Sequence, residues 1–216
     1  MKDETEAILA SFLRRRSELE VCASDLRAAF LALERCFRSG GKLLVCGNGG
    51  SAADADHIVG ELMKGFLLKR PLTQADREAL LMSSAVHGPR LADSLQRALP
   101  AMSLCGAGAF ATAFANDVSG ELAFAQAVRG WGRKGDALLA LSSSGNSRNV
   151  VCAAVAAKAF GLTTVALTGR GGGELVAICD VTIRVPAHET FLVQELHLPV
   201  YHALCAMLEE EFFGGD

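Results

Sequence analysis

Proline is scarce (5 residues), no tract is of low complexity, and neither sign of charge dominates, with 21 Lys and Arg against 24 Asp and Glu for a net charge of −3. These shortages exclude a linker-rich or fibrous protein and leave no global positive field for coating nucleic acid. No CxxC pair occurs among the seven cysteines, Cys22, Cys36, Cys46, Cys105, Cys152, Cys179 and Cys205. Their scatter excludes a disulfide framework and a thiolate zinc site, and fits a reducing cytoplasm. The N-terminus, Met1-Lys2-Asp3-Glu4, opens charged and lacks the apolar core of a signal peptide. The longest stretch free of charged residues and histidine runs over 98–116, and Pro100, Ser103, Gly106, Gly108 and Thr112 make it a poor hydrocarbon span. It reads as a buried strand followed by a tightly packed helix. No nucleic-acid or membrane partner is expected, and no internal repeat is present.

What is abundant is material for a core: half of the 216 residues are apolar and 22 more are glycine. That suits a single domain spanning 1–216. Residues 1–40 form an N-terminal segment in which Ile8, Leu9, Phe12, Leu19, Ala23, Leu26, Phe30, Leu33 and Phe37 recur at helical spacing over about 3–38, until Gly40-Gly41 stops the run. A helix that long must bury its stripe, and a neighbouring subunit is one place to bury it. The period then changes. Lys42-Leu43-Leu44-Val45-Cys46 is a short buried strand, with further strands at 101–105, 137–141, 163–167 and 181–185. A helix starts near Ser51, and others are expected at about 119–131, 147–160, 172–178 and 190–213. Short apolar strands alternating with helices give an α/β fold, a three-layer doubly wound parallel sheet behind a long N-terminal helix. Residues 66–98 break the alternation at Lys69-Arg70-Pro71 and His87-Gly88-Pro89, around a helix at 75–84, and read as an insertion serving as a lid or interface element.

Ligands of open α/β sheets bind outside the carboxyl ends of the strands, and two of those ends carry unusual chemistry. In Cys46-Gly47-Asn48-Gly49-Gly50-Ser51 the glycines allow close backbone approach, and Ser51 is placed to cap the next helix with Asp54 at the capping-box position. In Leu141-Ser142-Ser143-Ser144-Gly145-Asn146-Ser147 four hydroxyls precede a helix start with free N–H groups, a ready anion site. No lysine follows as in a nucleotide-hydrolysing loop. Either loop alone is an ordinary capping turn, but two at successive crevices point to a phosphorylated small molecule. Gly169-Arg170-Gly171-Gly172-Gly173 lacks the hydroxyls and reads as structural.

On the helix after the first loop, His57 and Glu61 are spaced i,i+4 and share a face, which suits two ligands of one cation as well as a surface pair. On the last helix Gln194, Glu195, His197 and His202 form a polar set in an apolar segment. Gln194 and His202 lie about 80° apart around an ideal helix, with Pro199 between them, so projection leaves their convergence open. His197 reads equally as a partly buried structural histidine.

The string from Gly47 to His57 (GNGGSAADADH), the 142–147 loop, Leu167-Thr168-Gly169, and Gln194-Glu195-Leu196-His197 with His202 resemble the phosphoheptose (sedoheptulose 7-phosphate) isomerase family of the SIS-domain superfamily. The match covers most of the chain outside 66–98. The resemblance implies a cytoplasmic homotetramer with a flavodoxin-like SIS domain and a zinc ion (Zn2+) held by His57, Glu61, Gln194 and His202. It places sugar-phosphate contacts at Asn48, Gly49, Gly50, Ser51, Asn116, Asp117, Ser142, Ser143, Ser144, Ser147 and Gln194. It implies aldose–ketose isomerisation of a phosphorylated sugar, sedoheptulose 7-phosphate to glycero-manno-heptose 7-phosphate, by proton transfer through an enediolate. Glu61 serves one carbon and His202 the other, with zinc polarising the carbonyl.

Two departures from the family pattern stand out: the length of 66–98 directly after Glu61, and Thr190-Phe191-Leu192 where the family carries an acidic residue. The second removes a polar contact near the substrate. The alternatives are an isomerase of a different sugar phosphate, and a non-catalytic SIS-fold module that binds phosphosugars or proteins. Modules of that kind resemble this chain but lack the acid/base positions that Glu61 and His202 fill here.

Overall fold

The structure, a computed structural model, describes residues 1–106 and 108–215. Five parallel strands form one sheet: β1 (Leu43–Cys46), β2 (Ala101–Ser103), β3 (Ala137–Ser142), β4 (Thr163–Thr168) and β5 (Val181–Arg184), in the order β2-β1-β3-β4-β5. Register is set by pairs such as Leu43 with Ala101 and Ala137, Leu139 with Val165, and Leu167 with Ile183. This is the flavodoxin-like order, whose switch point lies between the carboxyl ends of β1 and β3. Those are the ends that carry 47–51 and 142–147.

β1 and β3 are buried at every position, as strands covered on both faces must be. Leu43, Val45, Leu139, Leu141, Val165, Leu167 and Ile183 face one core, with α2 (Ala23–Arg38), α3 (Gly50–Met63) and α10 (Thr190–Phe213). Leu44, Cys46, Leu138, Ala140 and Ala166 face the other, with α7 (Ala123–Trp131), α8 (Arg148–Ala159) and α9 (Leu175–Ile178). Alternate side chains along each strand feed opposite cores, as the period-2 geometry dictates.

The N-terminal segment is not one helix. It forms α1 (Asp3–Arg15), a break at Arg16 (φ −131°, ψ 61°), a 3-10 helix over Ser17–Cys22, and α2. The break lets Leu9 and Phe12 of α1 lie against α10 while Leu26, Phe30 and Leu33 of α2 reach the sheet, with Leu19 wholly buried between. The stripe is therefore covered within the chain, and by itself no longer argues for a partner copy. α10 runs unbroken through Pro199. It is long and apolar enough to cross a membrane, yet it is a largely buried core helix with Glu209 and Glu211 paired inside.

Residues 66–98 form an excursion with more order than the sequence suggested. Two helices, α4 (Gln74–Ser83) and α5 (Gly88–Ser94), are tied by Arg77 to Asp93 (2.8 Å) and to the Ala92 carbonyl (2.6 Å). Pro89 sits in the first turn of α5, where the N–H that proline lacks has no intrahelical acceptor to bond. The expected helix at 119–131 is shorter and preceded by a π-helical turn (Ala115–Ser119) and a 3-10 turn (Gly120–Leu122), and α6 (Gly108–Phe114) precedes both.

Candidate active site at the switch point

Asn48, Gly49, Gly50, Ser51, Ser142, Ser143, Ser147, Thr190 and Gln194 line one cleft of about 300 Å³ at the carboxyl ends of β1 and β3. Gly47 is required there, since a Cβ would stand 2.6 Å from the Ser51 carbonyl oxygen. Gly49 (φ +56°) turns the chain into α3, which starts at Gly50. Ser51 thus sits inside the first turn, buried, and makes no cap with Asp54; a glycine N-cap takes the position expected for the serine. In the second loop Ser147 is the N-cap of α8, but its hydroxyl is committed to Ser142 Oγ (2.9 Å) rather than to the helix.

The third glycine turn buttresses the second loop, as its reading as structural predicts. A Cβ on Gly145 (φ +69°) would meet the Gly172 carbonyl oxygen at 2.0 Å, and Asn146 Oδ1 accepts from the Glu174 N–H (2.9 Å). Ser144 does not line the cleft; its hydroxyl accepts from the Asn146 N–H in the turn. Asn116 and Asp117 do not line it either. They are exposed on the π-helical turn and bonded to one another (2.9 Å). Sequence reading missed Asn149, whose amide pairs reciprocally with Asn48 (2.8 Å each way) and ties the two loops together. Thr190, from the stretch where a family acidic residue is missing, lines the cleft.

α3 and α10 run side by side in the same direction. Gln194 lies against Gly50, Tyr201 and His202 meet Asp54 and His57, and Glu209 reaches the chain beyond α3. His57 Nε2 stands 3.2 Å from Glu61 Oε1 and 3.4 Å from His202 Nε2. Glu61 Oε2 accepts from Lys64 Nζ (2.9 Å). Tyr201 OH donates to Asp54 Oδ1 (3.1 Å) and lies 3.0 Å from His57 Nδ1, so the Nε2 edge of His57 is the one turned to Glu61 and His202. Burial pulls the His202 pKa below the usual imidazole value, with neighbouring His57 adding to it. Burial raises Asp54 and also Tyr201, the latter with help from the Asp54 charge.

The donor types suit a divalent metal. Nitrogens bound at 2.0–2.1 Å to a tetrahedral ion stand about 3.3–3.4 Å apart, the spacing seen between the two imidazoles. Among the described residues, however, no three His, Cys, Asp or Glu side chains already surround a common point; Glu61 Oε1 faces His57 while Oε2 is bonded to Lys64. Gln194 begins about 12 Å of helix rise before His202, and its amide is in the cleft beside Gly50. Glu195 is exposed. His197 points into the core, wholly buried, and among the described residues neither ring nitrogen has a hydrogen-bond partner. Burial, only partly opposed by the nearby Thr168 main chain, pushes its pKa down to about 4 and keeps the ring neutral.

A flavodoxin-like sheet with a hydroxyl- and glycine-built cleft at its switch point defines a phosphosugar-binding α/β protein, and residues 9–97 and 79–169 match the SIS domain family. The chain is 38% identical over 191 residues to the phosphoheptose isomerase of Desulfovibrio desulfuricans, covering 88% of this chain and 79% of that one. It is 36% identical over 210 residues to the phosphoheptose isomerase of Rhodospirillum rubrum, covering 97% and 98%. The solved phosphoheptose isomerase of Neisseria gonorrhoeae aligns with a TM-score of 0.73 at 30% identity over 96% of this chain and 98% of that one. That of Francisella tularensis aligns with a TM-score of 0.74 at 28% identity over 97% and 100%. The chain belongs to the phosphoheptose isomerase family, a family of sugar-phosphate isomerases.

Proposed function

We propose that this protein interconverts the aldose and ketose forms of a phosphorylated sugar, with sedoheptulose 7-phosphate as ketose and glycero-manno-heptose 7-phosphate as aldose. The observation that carries the reading is the placement of an uncharged hydroxyl cleft and a cluster of titratable side chains along the same two helices, α3 and α10. The cleft suits a phosphate: Ser142, Ser143, Ser147, Ser51 and Thr190 line it with hydroxyl side chains, Asn48 and Gln194 with amides, and the start of α8 offers free N–H groups. Binding energy gained at that remote group orients the reacting end.

Isomerisation moves a proton between adjacent carbons. The Glu61 carboxylate takes the proton from one carbon and returns it, and the His202 imidazole serves the other when its Nε2 is not engaged by a metal, its partial burial favouring the neutral, proton-accepting ring. Zinc, which His57, Glu61 and His202 would hold, with Gln194 joining them if its amide turns from Gly50 toward His202, supplies Lewis-acid polarisation of the sugar carbonyl when bound. Thr190 supports a polyhydroxylated substrate by returning a hydroxyl to the cleft rim. The reading extends to a cytoplasmic homotetramer. Seven free cysteines suit a reducing compartment, and exposed Met82, Val86, Val118 and Phe191 suit burial between copies.

Incubation of the purified, zinc-replete chain with five- to seven-carbon sugar phosphates tests this. Conversion of sedoheptulose 7-phosphate is expected, with a loss of about 10²–10⁴ in kcat for Glu61→Gln. Absence of conversion on every sugar, with Glu61→Gln altering stability alone, would establish the non-catalytic binding module instead. Zinc near one ion per chain, and far less in His57→Ala, is the second readout; equal content in both removes the proposed ligand set.

A further inference from the structure

Among the described residues, the largest fully buried side chain belongs to an arginine of the 66–98 excursion. Arg70 Nε and Glu209 Oε1 meet at 2.7 Å, with 0% and 1% of their side chains exposed. Glu209 is fully used: Oε1 also accepts from the Phe66 N–H (2.8 Å), and Oε2 from the N–H groups of Leu67 (2.6 Å) and Leu68 (3.0 Å). Two more of the five Arg70 donors go to the last turn of α3, with Nη1 on the Leu62 carbonyl (2.7 Å) and Nη2 on the Glu61 carbonyl (3.1 Å). Its guanidinium lies over Phe213, 4.6 Å from the ring centre.

Removing two charges from water is costly, and apolar side chains would join two helices with less desolvation. What an apolar contact lacks is register. The fork of Arg70 fixes the peptide of Glu61, and the carboxylate of Glu209 fixes the peptide of Phe66, whose ring lies 5.5 Å from the ring of His202. One buried pair thus ends on both proposed proton-transfer residues, on Glu61 through its main chain and on His202 through the Phe66 ring.

We propose that Arg70 and Glu209 are the positioning pair of the isomerase site, setting where the Glu61 end of α3 stands relative to His202 on α10. The inference rests on the assignment of Glu61 and His202 to proton transfer. It gives the root of the 66–98 excursion a task in catalysis rather than at a lid or an interface. A misplacement of about 1 Å between reacting groups can cost about a hundredfold in rate, whereas the phosphate cleft has no contact with the pair and should keep its grip.

Arg70→Lys is the discriminating variant: it retains a charge for Glu209 but, as a single point donor, loses the fork on the two carbonyls. In steady-state assays of the zinc-replete enzyme at 25 °C, with folding verified by circular dichroism, kcat is expected to fall about 10- to 100-fold with KM within about threefold. A folded Arg70→Lys enzyme with wild-type kcat overturns the proposal, as does a fall confined to KM. Should that variant fail to fold, Phe66→Ala decides: it leaves the ion pair intact, and an unchanged kcat there overturns the proposal while a several-fold loss at constant KM supports it. Glu61→Gln and His202→Asn run in parallel. If they keep wild-type kcat the proton-transfer assignment itself falls; if they lose it while Arg70→Lys does not, only the positioning role falls.

Discussion

The two faces of the sheet bury different things. Against α7, α8 and α9 the interior is small and apolar, with Ala140 and Ala166 of the strands meeting Val150, Ala153, Ala154 and Ala157 of α8. Among the described residues no buried charged side chain belongs to those three helices. Against α1, α2, α3 and α10 the interior holds Arg70, His197, Glu209 and Glu211 among bulky aliphatic and aromatic groups. The difference is instructive because the crevice lies between the faces. The small-residue face brings the start of α8 close to the strand ends, beside the cleft proposed to take the phosphate. The charged face carries Glu61 and His202, to which the proposed function gives proton transfer, and the buried Arg70–Glu209 pair bonded to the last turn of α3.

Substitutions on the two faces should therefore fail in different ways. The largest effect is expected for His202→Asn, which removes a proton carrier from a partly exposed position: kcat falls about 10²–10⁴-fold, while the melting temperature stays within about 2 °C, since surface-accessible changes rarely exceed about 0.5 kcal/mol. Wild-type kcat in folded His202→Asn would erase the functional contrast between the faces. Next comes Gly145→Ala, at the crevice shared by both. The φ of +69° and the 2.0 Å overlap with the Gly172 oxygen predict a loss of about 2–4 kcal/mol by urea titration, together with a raised KM for the phosphosugar. A stability change under 0.5 kcal/mol would mean that the 169–173 buttress yields freely. Ala154→Leu on α8 should cost about 1–3 kcal/mol by overpacking, with kcat per folded molecule unchanged; a kcat loss as large as that of His202→Asn would show that the alanine face shares in the chemistry.

The sheet and the cleft were legible in the sequence because each depends on local pattern. Continuous apolar runs such as Leu43 to Cys46 mark doubly covered strands, and the Gly47–Ser51 and Ser142–Ser147 turns mark the strand ends that line one cleft. The break at Arg16 was hidden, since apolar spacing passes through it unaltered and only the need to bend α1 onto α10 creates it. Ser51 misled because capping preferences favour serine, while the positive φ at the turn selected Gly49 as the N-cap. His57 and Glu61 were readable from their i,i+4 spacing, but their meeting with His202 depends on the parallel alignment of α3 with α10, which no single-helix projection contains. Arg70 and Glu209 were invisible for a related reason: they lie 139 residues apart, and buried charges look like surface charges until the fold pairs them.

The smallest expected effect lies at the far end of the sheet, where neither face dominates. Asp136 precedes β3 with little exposure, its Oδ1 accepting from the Lys42 N–H (2.9 Å) and its Oδ2 from the Arg133 N–H (2.8 Å) and the Lys42 ammonium. Burial pushes the carboxyl pKa up, but the bonds from the Lys42 ammonium and the two N–H groups outweigh it and hold the group below the ordinary carboxylate range. A pKa depressed by folding contributes stability that is complete above the unfolded value of about 3.9 and is lost as pH falls through the folded value. Asp136→Asn should therefore cost about 1 kcal/mol at pH 7 and show a flatter decline of urea midpoint below pH 4 than the wild type. Its kcat and KM should match the wild type, because the substitution lies at the end of β3 opposite the Ser142 loop. Equal acid sensitivity in both proteins would assign the low-pH loss to other carboxylates, of which Glu211, also held below its ordinary range against burial by Lys2 and Thr5, is next in line on the charged face.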